Sequence, residues 1–118
     1  MVMDFQLVIL KGHDSSPQTY ELHQKAYAHW KEIWSATFKE LDGTSAITSD
    51  NYTRQHDILA LFNEGTCVAM VCHRYVNLEL DCHQDDSYFS SWSQQTYEEI
   101  KKRGNRIAIG NQISVHPD

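Results

Sequence analysis

The sequence has few features of a membrane protein or of a general nucleic-acid binder. Its N-terminal apolar run is only Phe5 to Leu10, far below the ~18 to 20 residues that cross a bilayer, and an acidic Asp4 precedes it, unlike a secretory signal. Ten lysines and arginines stand against sixteen aspartates and glutamates, giving a formal net charge of -6. A negative protein is poorly suited to neutralising phosphates, so we expect neither a membrane nor a nucleic-acid partner.

Cysteine, proline and glycine are also scarce, at three, two and five residues. Three cysteines, Cys67, Cys72 and Cys82, cannot all pair within one chain, which favours a reducing, cytoplasmic location. No repeat, low-complexity tract or linker interrupts the sequence. Because 118 residues with 41% hydrophobic content suffice for one core but not for two, residues 1–118 are predicted to form a single soluble domain.

Apolar spacing predicts the elements of the first half. Phe5 to Leu10 is typical of a strand. A helix is expected to begin at Ser16 as N-cap with Pro17 in its first turn, and to end at Gly43. Large apolar side chains recur along it at helical spacing and are expected on one face: Tyr20, Tyr27, Trp30, Ile33, Trp34, Phe38 and Leu41.

The second half is predicted to complete a mainly antiparallel sheet flanked by helices, an α/β (α+β) fold. A short helical turn is expected at 49–55, followed by a hairpin of strands 57–62 and 66–72 around a loop ending in Gly65. Both strands are continuously apolar, so we place them centrally with helices on either face. A helix over 93–102 and a final strand over 106–115 follow.

The final strand carries bulky residues at odd positions, which predicts that they share one face. Gly110 and Asn111 interrupt the pattern, which indicates a bulge or the close approach of another group. The odd-numbered residues concerned are Ile107, Ile109, Ile113 and Val115.

Cysteines and histidines cluster between positions 67 and 83, which offers a metal site or a Cys/His nucleophilic pair, but the spacing favours neither. None has the spacing of a zinc site, and Cys67 and Cys72, five apart on one strand, are expected on opposite faces. We therefore predict small core residues and no metal. The residues of this group are Cys67, Cys72, His73, Cys82 and His83.

Charged and aromatic groups offer further candidates. An acidic group could bind a cation or an amine, and a basic group could meet a phosphate, although solvated surface is favoured for both. The aromatic helix face is expected to be core or, alternatively, the wall of a pocket in which Trp30 and Trp34 bind substrate. The acidic group is Glu79, Asp81, Asp85 and Asp86, and the basic group is Lys101, Lys102, Arg103 and Arg106.

The order of elements, together with the ending Ile113-Ser114-Val115-His116-Pro117-Asp118, resembles the N-terminal half of the GNAT superfamily of N-acetyltransferases. That resemblance implies a fold that ends here at its fourth strand, with Ile113, Ser114 and Val115 binding the pantetheine arm of acetyl-CoA or another acyl-CoA. It further implies acyl transfer from CoA to a small-molecule amine. The family's glycine-rich loop does not follow Asp118, so a truncated or fragmentary form is expected.

The resemblance does not select a general base. Asn111 and Gln112 are neutral where family members often carry an acid, which leaves Glu79, Asp81 and His116 as alternatives. A second interpretation is a non-catalytic binding or dimerisation module. In that interpretation the exposed last strand pairs with a partner chain or with a second copy.

Overall fold

The computed structural model describes residues 4–43 and 47–117. Asp118 of the terminal motif therefore lies outside the described residues. The strands are β1 (Phe5–Leu10), β2 (Asp57–Asn63), β3 (Thr66–Asn77) and β4 (Arg106–Val115), and the helices are α1 (Tyr20–Asp42), α2 (Asp50–Thr53), α3 (Asp81–Gln84) and α4 (Gln94–Arg103). Among the described residues, no helix combines the length and apolarity needed to span a bilayer.

The strands form an antiparallel sheet in the order β1-β2-β3-β4, which confirms the predicted fold class and the central position of the hairpin. The chain divides into two compact units, one containing residues up to Arg74 together with those from Gly110 onward, and the other Tyr75–Ile109. Each unit has its own apolar cluster. The single-domain interpretation stays a prediction.

The core of the first unit lies between one face of the sheet and α1. Buried side chains alternate along β2, where Ile58, Ala60 and Phe62 are at most 1% exposed, as expected for period-2 geometry. Ala26 and Trp30 of α1 complete this cluster. The opposite sheet face is more open, since Phe5, Leu7 and Ile9 of β1 are each about half exposed or more, at 49, 62 and 61%.

The hairpin turn is tighter than predicted. Glu64 and Gly65 both have positive φ, 51° and 81°, so a two-residue turn joins β2 to β3. The register then shifts, because Leu61 lies opposite Ala69 while Phe62 lies opposite Cys67. The extra residue on β3 reverses which side chains point inward.

This bulge overturns one expectation about the cysteines. Cys67 and Cys72 do not lie on opposite faces, because the extra residue between them places both in the same core, 4% and 0% exposed. Their prediction as small core residues is confirmed.

Helix α1 begins later than predicted. Residues 17–19 form a turn in which the Thr19 amide donates to the Ser16 carbonyl at 3.1 Å, and the helix starts at Tyr20 with Thr19 as N-cap. Ser16 does not cap it, since its hydroxyl lies 2.9 Å from that of Thr19. Gly43 ends the helix at φ 76°, as predicted, with its amide donating to Lys39.

The second unit is built around a separate aromatic cluster. Leu78, Phe89 and Ile109 are buried, and Trp92 packs edge-to-face on Phe89 with ring centroids 5.1 Å apart. Helix α4 begins at Gln94, one residue after the predicted start, because Ser93 is its N-cap. The Ser93 hydroxyl accepts the Thr96 amide at 3.1 Å.

Candidate functional site

Strand β4 is interrupted in the middle by a residue of unusual backbone conformation. Gln112 has φ 54°, in the left-handed region that non-glycine residues rarely adopt. Before this position the buried residue is the odd-numbered Ile109, and after it the even-numbered Ser114, 4% exposed. This is the geometry of a bulge, in accordance with the predicted interruption.

The interruption overturns the prediction that the odd-numbered residues share one face. Ile113 and Val115 are 68% and 65% exposed, because one irregular residue moves every later side chain to the other side of the strand. Of the three residues predicted to bind the pantetheine arm, Ser114 therefore points into the first unit. The other two present apolar side chains to solvent.

Helix α1 supports the irregular residue directly. The Trp30 indole Nε1 donates to the Gln112 side-chain oxygen Oε1 at 3.1 Å. Trp30 is 1% exposed and stacks on Tyr27 with ring centroids 5.8 Å apart. The structure thus places Trp30 in the core, where its hydrogen bond positions β4.

Trp34, the other tryptophan predicted to bind substrate, is only partly buried. Its indole Nε1 and the Asn111 oxygen Oδ1 are both shielded from solvent, and neither has a hydrogen-bond partner among the described residues. Trp34 follows Trp30 by one helical turn, a rise of about 6 Å, and Asn111 adjoins Gln112. A donor and an acceptor are therefore left unsatisfied in this region, and unsatisfied buried polar groups are costly and rare.

A second contact between α1 and β4 joins His29 to Ser114. His29 Nε2 lies 3.0 Å from the Ser114 hydroxyl, and both residues are about 95% buried. The other ring nitrogen, Nδ1, is buried and has no partner among the described residues. Burial and the nearby His116 lower the pKa of His29, although Glu32 and a hydrogen bond from the His29 ring to the Ser114 backbone act in the opposite direction. A neutral imidazole is the form that accepts a proton.

His29 also lines a cleft of about 310 Å³ in the first unit. The ring of His116 lies 6.4 Å from that of His29, centroid to centroid, and the His116 amide donates to the Val68 carbonyl at 2.7 Å. The remaining lining residues combine charged, hydroxyl and small side chains: Lys25, Ala28, Glu32, Gly65, Thr66 and Cys67.

The buried cysteines are not activated nucleophiles. Burial raises the pKa of Cys67 to about 11 and that of Cys72 to about 12, so both remain thiols near neutral pH, whereas the thiolate is the reactive form. Cys82 is exposed, and none of the three forms a disulfide.

The charged groups singled out from the sequence lie largely on the surface. Glu79, Asp81 and Asp85 are exposed, and the Asp86 carboxylate accepts the Tyr88 amide at 2.9 Å. In the basic group, Lys102 pairs with Glu99 at 3.5 Å, and Arg106 lines a cleft of the second unit. The described part of the chain contains no cluster of three or more potential metal ligands.

Two functional candidates, His29 and the conformation of Gln112, were not found from the sequence. His29 follows Ala26 by three residues and precedes Ile33 by four, so helical spacing alone would have placed it near the buried face. Positive φ at a glutamine has no comparable signal.

No known protein family, curated protein or solved structure matches this chain.

Proposed function

We propose that this chain is a GNAT-like, acyl-CoA-dependent N-acyltransferase domain that transfers an acyl group from acetyl-CoA or a related acyl-CoA to a small-molecule amine. The observation that supports it best is the interrupted edge strand, with Gln112 at positive φ immediately before Ile113–Val115. A bulge leaves a residue outside the strand ladder. Backbone amides freed in this way can pair with a pantetheine arm and stabilise a developing oxyanion.

The acceptor side of the proposed site contains Trp34 and Asn111. Their unpartnered donor and acceptor atoms are suited to a tetrahedral transition state, whose oxyanion accepts a hydrogen bond and whose attacking nitrogen donates one. Gly110 precedes Asn111, and its missing side chain leaves the strand accessible to a ligand. Trp34 keeps the substrate role predicted for it, whereas Trp30 acts by holding Gln112 in place.

In this proposal His29 is the general base. The amine nitrogen attacks the thioester carbonyl, the C–S bond breaks, and the amine proton passes to His29 and then to the departing CoA thiolate. Burial favours neutral His29, its Nδ1 is unpartnered, and Nε2 contacts Ser114 in the proposed cofactor segment. By comparison, Glu79 and Asp81 are exposed on the second unit.

Isothermal titration with acetyl-CoA tests the cofactor assignment. Saturable heat is expected from the wild type and from Gln112→Gly, which readily adopts positive φ. Affinity should fall at least about tenfold in Gln112→Val, because a β-branched residue resists that conformation. No heat and no thermal shift with millimolar acetyl-CoA would refute the proposal.

Thiol release in the presence of simple amines tests the chemistry separately. We expect His29→Gln to lower the rate by roughly 10²- to 10⁴-fold with unchanged affinity for acetyl-CoA. An unchanged rate would exclude His29 as the base and leave the cofactor assignment intact.

A cytoplasmic location belongs to the same proposal and is supported by the three free cysteines.

A second candidate function is association through β4. Ile113 and Val115 are exposed apolar side chains on a strand at the edge of the described sheet, and such edges pair with other chains. If this alternative holds, sedimentation velocity should show a dimer of the wild type, and Ile113→Lys should shift it to a monomer. Leu41→Lys is the matched control, because Leu41 is similarly exposed, at 73%, but lies on a helix. A monomeric wild type at high concentration would contradict it.

A further inference from the structure

The second unit contains a cleft that the proposed acyl transfer does not use. Its volume is about 390 Å³, within the range of small-molecule sites. The apolar part of its lining comes from Val76, Ile107 and Ala108, with the ring of Tyr75 beside them. None of the described residues that line it is acidic, although the whole protein carries a net charge of -6.

One hydrogen bond fixes the proton position on a histidine in this cleft. The Asn77 backbone amide donates to His83 Nδ1 at 2.7 Å. Because Nδ1 accepts, its lone pair is in use and the ring proton of neutral His83 must be on Nε2. His83, which lines the cleft, therefore carries its N–H donor on Nε2.

Arg106 supplies the positive charge of this cleft. No carboxylate among the described residues lies within ion-pair distance of its guanidinium. An arginine presents a planar fork of N–H donors that matches a carboxylate in a bidentate arrangement. An unpaired fork beside an apolar surface is suited to an anion that carries its own apolar group.

We infer that this cleft binds a small carboxylate with an aromatic or aliphatic body. Arg106 holds the carboxylate in a bidentate pair, and His83 Nε2–H donates a further hydrogen bond to it. The apolar body packs on Tyr75, Ile107 and Ala108. This carboxylate site does not depend on acyl-CoA binding, so it can be tested separately from the proposed acyl transfer.

The probe is sodium benzoate, titrated into the ¹⁵N-labelled full chain at constant ionic strength and followed by amide chemical shifts. Saturable shifts are expected around 75–77 and 106–108. At the ligand efficiency of drug-sized molecules, the dissociation constant should be about 10 mM or lower. Acetate, which lacks the apolar body, should bind at least about tenfold more weakly.

Variants separate a built site from general attraction of anions. Arg106→Gln should weaken benzoate binding at least about tenfold, and Arg106→Lys, which keeps the charge and interferes less with folding, should weaken it severalfold. Arg103→Gln is the matched control, because it removes the same charge from an exposed position at the end of α4, and it should change affinity less than twofold. Non-saturating shifts, equal affinity for acetate, or equal effects of Arg103→Gln and Arg106→Gln would each overturn the assignment.

Discussion

Replacing Gln112 should reverse the usual preference of a β-strand for valine over glycine. In a regular strand, valine is favoured over glycine by about 1 kcal/mol. At φ 54° the order inverts, because the left-handed region costs a non-glycine residue about 1–2 kcal/mol and glycine almost nothing. We expect Gln112→Gly to be more stable than Gln112→Val by roughly 2 kcal/mol.

The comparison between these two variants removes the contribution of the hydrogen bond. Both substitutions delete the oxygen that accepts from Trp30 at 3.1 Å, so both leave the same buried indole N–H unpaired, at a cost of about 1–3 kcal/mol. That cost lowers both variants relative to the wild type. It cancels in the difference between them, which then reports the backbone conformation.

Urea denaturation followed by tryptophan fluorescence measures this difference. Ala108 provides the matched control, since it is exposed on the same strand and is not among the residues with positive φ. Ala108→Val is expected to be more stable than Ala108→Gly. If valine is the more stable residue at both positions, β4 is a regular strand at 112 and the support for the cofactor segment is lost.

Two further predictions concern the thiols and a glycine of the first unit. Burial raises the pKa of Cys67 and Cys72 from 9.0 to about 11 and about 12. The contribution of each thiol to the free energy of unfolding is therefore fully present well below pH 9. It is lost as the pH rises above 9, because the thiols of the unfolded chain ionise first. At pH 9.5 each of these two thiols should lower the free energy of unfolding by about 0.8 kcal/mol, as measured by urea titration. Cys67→Ala and Cys72→Ala should each reduce this loss. If Cys82→Ala reduced it equally, the prediction would be contradicted. A Cβ on Gly12 would lie 2.2 Å from the Tyr52 carbonyl oxygen of α2. This clash exists only in the folded state, so Gly12→Ala should lower the free energy of unfolding by at least about 2 kcal/mol. Gly110→Ala, with its nearest contact at 3.6 Å, should be neutral or slightly stabilising, and equal thermal shifts for the two would refute the packing argument.

Much of the fold was predictable because local patterns and tertiary structure agree. Phe5–Leu10 is short and apolar and forms β1 at the predicted boundaries. Gly65 adopts the positive φ that the hairpin requires. Helix α4, Gln94–Arg103, lies within one residue of its predicted bounds at both ends. At these positions, the residue type restricts the backbone by itself.

The errors arose where a strand contains one residue more than its regular pattern. Strict alternation of side chains along a strand predicted Cys67 and Cys72 on opposite faces and Ile113 on the same face as Ile109. A single irregular residue within each strand makes both predictions wrong. On β3 no glycine or asparagine marks the shift. On β4 the interruption was visible at Gly110 and Asn111, yet the positive φ belongs to Gln112.

The use of glutamine at this position is itself informative. Glycine would adopt φ 54° more easily, but it has no side-chain acceptor for the buried Trp30 indole. The conformational cost of glutamine is thus offset by a hydrogen bond that ties the interruption of β4 to α1. One helical turn further along, the Trp34 indole has no such partner among residues 4–43 and 47–117. The two tryptophans on this helix therefore differ. The Trp30 indole holds Gln112, whereas Trp34 keeps an unused donor, which in the proposed acyl transfer would serve the acceptor.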